Sequence, residues 1–483
     1  MEKNERGSWG SSFGFLMAAV GSAVGLGNIW GFPYKMGKNG GFAFLIVYVL
    51  LVVLVGVAVM LGELAIGRRS GRGAVGAYAA LGRKYKWVGY MGVASGFLVL
   101  AFYNVLGGMV LRYALGYLIS MFGGDGWAGA GTGFFSHLLY DPSSMIIFYV
   151  IFIAINVIIV MGGIEGGIEK FSKIAMPALA AMLIIVIIYV AVQPGAGAGY
   201  AFMFKPDFSQ LFSSTKDFFN VLKTAAGQMF FSLSLGMGIM ITYGSYLSRQ
   251  ENLQKNALII PIADTIVAIM AGMAVMPACA AFGVEYGSGP GLLFASMQTV
   301  FTNMGGFIGN LMGFLFYILV FIAAITSSIS LLEVNTAFAV DKRIDKGKEP
   351  GRKKVTLMFA AALLIVGLPV ALDALGSGGA VVPAPYELIG KTAEDFGGKI
   401  PMIIDAWLDF YDGIAEGILM PLGALVMSVL IGWVFKTRLV GEECELSGHG
   451  GFKARGFFDV AFKFIVPIIM LVVLYAQVMD FFG

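Results

Sequence analysis

The chain has 483 residues, of which 58% are hydrophobic and only 13% charged, with a formal net charge of +3 and a mean hydropathy of +0.84. A soluble chain carries roughly a quarter charged residues, so this composition excludes a string of soluble domains. Two cysteines and two histidines supply neither a disulfide framework nor metal-ligand spacing: Cys279 falls in an apolar run, and Cys444, His137 and His449 fall in stretches read as loops.

Apolar runs recur end to end, most about as long as the ~20 residues a bilayer-spanning helix needs. Eleven spans are predicted, at 13–34, 41–66, 88–121, 145–161, 174–192, 224–247, 256–282, 307–340, 355–372, 407–435 and 458–481. The first run leads through Pro33-Tyr34 into the second rather than to a cleavage site, so no cleavable signal peptide is expected. Lys and Arg set the orientation. The amino terminus and even-numbered loops hold twenty-three of them, including Arg68-Arg69, Arg83-Lys84 and Arg352-Lys353-Lys354, against seven in the odd-numbered loops. The amino terminus is therefore expected in the cytoplasm and, with an odd span count, the carboxyl terminus outside.

Two spans carry the signs of a break. The first contains GSAVGLGNIWGFP (21–33), and the sixth contains QMFFSLSLGMG (228–238), both glycine-rich at mid-depth. They hold corresponding positions in two halves of five spans, the pattern of an inverted-repeat transporter with its site at the midplane. This divides the chain into a tail and first repeat (1–192), an extracellular loop (193–223), a second repeat (224–437), and a cytoplasmic loop with the last span (438–483). Backbone groups freed by unwinding must find partners in hydrocarbon. A sodium ion can take the carbonyls, and a carboxylate can take N–H groups at a half-helix amino terminus. Polar side chains at the same depth can complete such a site: Asn28, Ser232, Ser234, Asp264 and Thr326-Ser327-Ser328 offer the hard oxygen ligands that suit an alkali cation. Asp264 stands out because an intramembrane acid is expensive and by default functional.

On the motifs SAVGLGNIWGFPY (22–34), KNGG (38–41), GQMFFSLSLGMG (227–238), TYGSY (242–246), GPGLLF (289–294) and AAITSSIS (323–330), the chain resembles the neurotransmitter:sodium symporters, especially their bacterial amino-acid transporters. The resemblance covers nearly the whole length. It implies an all-α integral membrane protein of the LeuT fold, with eleven transmembrane helices in a 5+5 inverted repeat and helices 1 and 6 unwound at mid-membrane. It also implies a cell-membrane location, an amino-acid substrate and no nucleic-acid partner, and it leaves the oligomeric state open. The short loop between the third and fourth spans suits a prokaryotic member.

Carried over by motif, the resemblance implies two Na+ sites. One uses the Ala23 carbonyl, Asn28, Ser232, Asp264 and the substrate carboxylate. The other uses the Gly21, Val24 and Ala323 carbonyls with Thr326 and Ser327. The substrate carboxylate would meet the Leu26 and Gly27 N–H groups and the Tyr103 hydroxyl; its amine would meet carbonyls near Ala23, Phe231 and Ser234. Val99, Tyr103, Phe231, Ser234, Met237, Ser327 and Leu331 would line the side-chain pocket, with Phe231 as lid. Gly25 stands where amine-carrying relatives have an Asp, so the substrate must bring its own carboxylate. Gly236-Met237-Gly238 makes a pliable wall, which suits large apolar or aromatic side chains. An Arg6–Asp341 pair with Trp9 would close the cytoplasmic side, near Ser245, Tyr246 and Glu333, and Gly167 and Pro177 would let the fifth span unwind.

One departure concerns the outer side. The family arginine is Gly31 here, while its acidic partner persists as Asp412 or Asp409, and Glu416 adds an acid without a role. Lys35, one turn on, is the best substitute cation; Arg112 lies on the face of its helix away from Tyr103. A channel would need a continuous polar lining, which Phe231 and Trp30 interrupt, and an enzyme would need more nucleophiles, bases or metal ligands. An amino-acid sensor and a proton-coupled transporter working through Asp264 or Glu416 are the alternatives of the same fold. Asp264 replaces the family's usual Asn, so a fixed carboxylate supplies the negative charge that chloride supplies in some relatives. Uptake is therefore expected to continue undiminished when gluconate replaces chloride.

Overall fold

A computed structural model describes residues 6–124, 132–286, 291–376, 381–398, 400–446, 448 and 451–482; His449 and the Gly289-Pro290 part of one motif lie outside them. Among the described residues every regular element is helical. Eight helices are long and apolar enough to cross a membrane, and the bent pair Ser12–Ala23 and Gly27–Lys38 makes a ninth. The other two expected spans are each in two pieces: Thr215–Ser232 with Ile239–Gly244, and Arg352–Val366 with Leu368–Leu372. The sixth span starts well before residue 224 because Ser214 caps it, its hydroxyl accepting the Asp217 N–H at 3.1 Å.

The third and eighth spans, Lys86–Met121 and Gly306–Ile344, pack against each other along their length. Their most apolar windows are 83% and 78% buried, against 33% for the fifth and eleventh spans. The third and eighth are thus the internal wall, and the fifth and eleventh turn apolar faces outward. The fifth span opens with a π-helical turn, Ile164–Glu169, which contains Gly167, whereas Pro177 sits inside the regular helix Lys170–Ala191.

The breaks occur where the residues favour them. The first helix ends at Val24, whose ψ of 104° leaves the helical region, and resumes at Gly27 with a bend of 49°. In the sixth span Gly236 and Gly238 take φ of +79° and +72°, a left-handed conformation that only glycine adopts without cost. Ser234 does so too, at φ +55°, a strain on the order of 1 kcal/mol. Its hydroxyl donates to the Ser22 carbonyl at 2.8 Å, which ties it to the first break.

Two loop readings are corrected. Cys444 lies in the helix Arg438–Glu445 and is buried, and burial pushes its thiol up to about 12. His137 is an exposed residue of the helix Thr132–Leu139.

Glu63, in the second span Phe42–Ser70, holds the second break open by accepting the Gly236 N–H at 2.7 Å. The same rule that marks Asp264, an acid inside a membrane span, marks Glu63, which the sequence reading passed over. Glu63→Ala strands that buried donor and is expected to cost about 1–3 kcal/mol, read as a fall in melting temperature in detergent. Glu63→Gln keeps an oxygen acceptor and should retain most of the stability.

Candidate functional site

The two breaks face each other across a cavity of about 20 Å³ lined by Ala23, Gly25, Val99, Tyr103, Phe231, Ser232, Ser234, Met237, Ser327 and Leu331, together with Ser22 and Gly27. The side chains expected to line the pocket are among these, whereas Leu26 is not a lining residue and touches the site through its N–H to Tyr103. A space of this size holds roughly one water, so Phe231 or Met237 must move to admit a side chain. Phe231 packs directly over Gly27, where an added Cβ would come within 2.8 Å of its ring.

The unwound backbone is paired mainly by side chains. The Gly25 N–H goes to Asn28 Oδ1 at 2.9 Å and the Leu26 N–H to Tyr103 Oη at 2.9 Å. The Ser22 carbonyl accepts from Ser234 Oγ at 2.8 Å and Ser327 Oγ at 3.1 Å, and the Val24 carbonyl from Ser327 Oγ at 3.3 Å. Gln228 Nε2 donates to the Gly27 carbonyl at 2.8 Å. Ser22 Oγ in turn bonds Ser330 Oγ at 2.7 Å. Ser22, Ser330 and Gln228 were not among the predicted residues; they are neighbours of flagged positions, and only the fold turns them inward.

Asp264 is fully buried beside the first break. Its carboxylate accepts from Asn28 Nδ2 at 2.7 Å, Ser232 Oγ at 2.9 Å and Tyr48 Oη at 3.3 Å. All three partners are neutral. The other buried acids of the spans differ: Glu169 meets Lys173 at 2.5 Å, Asp341 meets Arg6 at 2.6 Å, and Glu333 is paired with Arg352. Glu63, like Asp264, has no basic partner among the described residues, and it is bonded to backbone. On the far side of the break, Thr326 Oγ1 donates to the Ala323 carbonyl at 3.1 Å. A Cβ on Gly21 would lie 3.2 Å from Thr326 Cβ. The structure therefore gathers Gly21, Val24, Ala323, Thr326 and Ser327 into one oxygen-rich patch.

On the expected cytoplasmic side, Arg6 forms its pair with Asp341, donates to Ser245 Oγ at 3.2 Å and to the Gly71 carbonyl, and lies 4.9 Å from the Tyr246 ring centre. Trp9 Nε1 donates to the Tyr243 carbonyl at 3.1 Å. Tyr246 Oη donates to Glu333 at 2.7 Å. Glu169 accepts the Gly10 N–H at 2.6 Å and the Ser11 hydroxyl at 2.9 Å, fastening the fifth span to the start of the first.

On the opposite side a cavity of about 510 Å³ is lined by Lys35, Lys38, Gly227, Asp412, Glu416 and Gln477 among others. Of the acids expected near Lys35, Glu416 stands nearest, its Oε1 3.8 Å from Lys35 Nζ, and Asp412 lines the same cavity within reach of the Lys35 charge. Arg112 is remote from the pocket, donating to Ser144 Oγ at 3.2 Å and lying 5.0 Å from the Phe134 ring centre.

Comparison with known proteins gives the family and the fold. The sequence profile of the Sodium:neurotransmitter symporter family matches residues 6–136 and 140–382. The chain is similar to an uncharacterized sodium-dependent transporter, YhdH, of Bacillus subtilis (strain 168), with 34% identity across 98% of each chain. An uncharacterized sodium-dependent transporter of Haemophilus influenzae is 33% identical across 97% of each. Among solved structures, that of MhsT in complex with L-phenylalanine is similar with a TM-score of 0.81 and 35% identity, covering 98% of this chain and 100% of that one.

The packing at the first break generates a direct test. A methyl on Gly25 would lie 2.5 Å from Ser327 Oγ and 2.7 Å from Tyr103 Oη. Gly25→Ala is therefore expected to cost about 1–3 kcal/mol by overpacking, measured as a lower melting temperature than wild type in the same detergent.

Proposed function

The chain belongs to the sodium:neurotransmitter symporter family, and on that premise we propose that it imports neutral, hydrophobic or aromatic amino acids with sodium, by alternating access. It is a sodium-dependent, multi-pass membrane transporter of the LeuT fold and not an enzyme. The observation that carries the proposal is Asp264: a fully buried carboxylate with neutral partners only, one of which is Asn28 of the unwound helix. Burying a charge without a counter-charge is costly, and a sodium ion held by the Ala23 carbonyl, Asn28, Ser232 and Asp264 would supply one. The patch of Gly21, Val24, Ala323, Thr326 and Ser327 would hold a second ion. Tyr103 Oη and the Leu26 and Gly27 N–H groups would receive the substrate carboxylate. That carboxylate would also touch the first sodium, so ion and solute attract each other directly in a dry site.

The pocket walls support the substrate class. Val99, Met237, Leu331 and Phe231 are apolar, and Gly25 leaves no acid to grip a lone amine. L-phenylalanine in the similar MhsT structure points the same way. Tyr48 and Ser232 spend their hydroxyls on Asp264, which supports a fixed carboxylate in place of chloride. Arg6 with Asp341, Trp9, Tyr246 and Glu333 would close the cytoplasmic side, with the chain in the cell membrane, amino terminus inside and carboxyl terminus outside. Asp264 also favours a second reading, because a proton would neutralise it as well as sodium does.

Uptake of a mixture of labelled amino acids into proteoliposomes, with and without an inward sodium gradient, tests the proposal. Sodium-dependent accumulation of one or a few neutral amino acids is the expected result. Accumulation driven by a pH gradient alone would favour the proton-coupled reading, and sodium-dependent binding without accumulation would favour a sensor.

A further inference from the structure

The small pocket and the large outer cavity are separated by a single turn of the sixth span: Phe231 lines the first, and Gly227, four residues earlier, lines the second. Whatever bridges the helices at that turn blocks the path between them. Three features meet there. Gln228 reaches across to the Gly27 carbonyl at 2.8 Å. Its Oε1 lies 3.1 Å from the place a Cβ would take on Gly31 and has no hydrogen-bond partner, so Gln228 fills the space beside Gly31, which brings no side chain of its own. At the same level, Glu416 Oε1 lies 3.6 Å from the place of a Cβ on Gly227, with Gln477 Nε2 at 3.1 Å from the same point. Gly227 thus leaves the space into which Glu416 and Gln477 fit. Glu416 is then met by Lys35 at 3.8 Å, from the outer half of the broken first span.

We propose that Lys35 and Glu416 form the outer closure of this transporter, joining the outer half of the first span to the tenth span over the single turn that separates cavity from pocket. The proposal rests on the transport reading above and assigns a role to Glu416, which the site chemistry leaves unused. The choice of acid follows from position. Asp412 lines the same cavity one turn earlier, but it is Glu416 that stands opposite the Gly227 gap. The strength of the pair also fits its task. The two side chains are 24% and 13% exposed, against 8% and 7% for Arg6 and Asp341, and partly solvated pairs contribute modestly. Such a contact orders the closed form yet breaks readily when solute arrives from the cavity.

The test reads the closure itself and needs no substrate. Val99, on the pocket wall, is replaced by Cys. Intact cells are then exposed to a membrane-impermeant thiol reagent, and labelling of the chain lacking that replacement gives the background, since Cys279 and Cys444 are buried. Lys35→Met or Glu416→Gln is expected to raise the labelling rate about threefold or more. Lys35→Arg should keep the parental rate, and the exchanged pair Lys35→Glu with Glu416→Lys should return towards it. Parental rates in both single variants would overturn the proposal, as would an exchanged pair labelled as fast as the singles. Because labelling is independent of the solute carried, failure here is distinct from failure of the uptake experiment.

Discussion

A helix that unwinds inside hydrocarbon exposes N–H and C=O groups, each costing several kcal/mol if it stays unpaired. In this chain two helices unwind against each other, and neither break could persist alone. Asn28 and Tyr103 take the N–H groups of Gly25 and Leu26; Ser234 and Ser327 take the Ser22 carbonyl; Gln228 takes that of Gly27; Glu63 takes the Gly236 N–H. The partners come from five different spans. The site is therefore not a hole in a finished bundle. It is the place where the bundle must converge so that two broken helices are tolerated, and the surplus polar atoms of that convergence are what an ion and a zwitterion can use.

Charge follows the same economy. Acids around the start of the first span are matched by bases: Asp341 by Arg6, Glu333 by Arg352, Glu169 by Lys173. Asp264 at the midplane is matched only by neutral donors. A carboxylate so placed is strongly selective for the state in which a cation is present, because its field is poorly screened. On the proposed reading, sodium dependence follows from where one charge lacks its partner. The two sides of the molecule also differ. The contacts around Arg6 form a dense network of buried rings and ion pairs, whereas the partly exposed pair of Lys35 with Glu416 joins the other end of the first span to the tenth. On the proposed reading, the outer side is then the cheaper one to open.

Much of this is legible in the sequence. The glycine clusters at 25–27 and 236–238 announce both breaks, because left-handed backbone and loss of helix are local steric matters. Asp264 was visible because an acid in an apolar run has few reasons to exist. Glu63 carried the same signal and was missed, since the surrounding residues gave no hint that its partner was a backbone N–H 173 residues away. Cys444 read as part of a loop because Glu442, Glu443 and Glu445 surround it with charge. In the fold, Arg68 and Arg69 come over from the second span to pair with Glu443 and Glu442, and the helix they form buries the thiol.

By itself the sequence determined that this is a membrane protein of repeated spans, broken in the first and sixth, with an oxygen-rich set of residues at their depth. These are consequences of hydrophobic length, glycine placement and charge count, and each is decided within a turn or two of chain. Only the tertiary structure decided that Lys35 meets Glu416 rather than Asp412 or Asp409, that Gln228 covers Gly31, and that Arg112 is spent on Ser144 and Phe134. These pairings depend on which faces of distant helices are turned towards each other. A shift of one helical turn, about 5.4 Å, selects a different partner while leaving every local preference in the sequence satisfied.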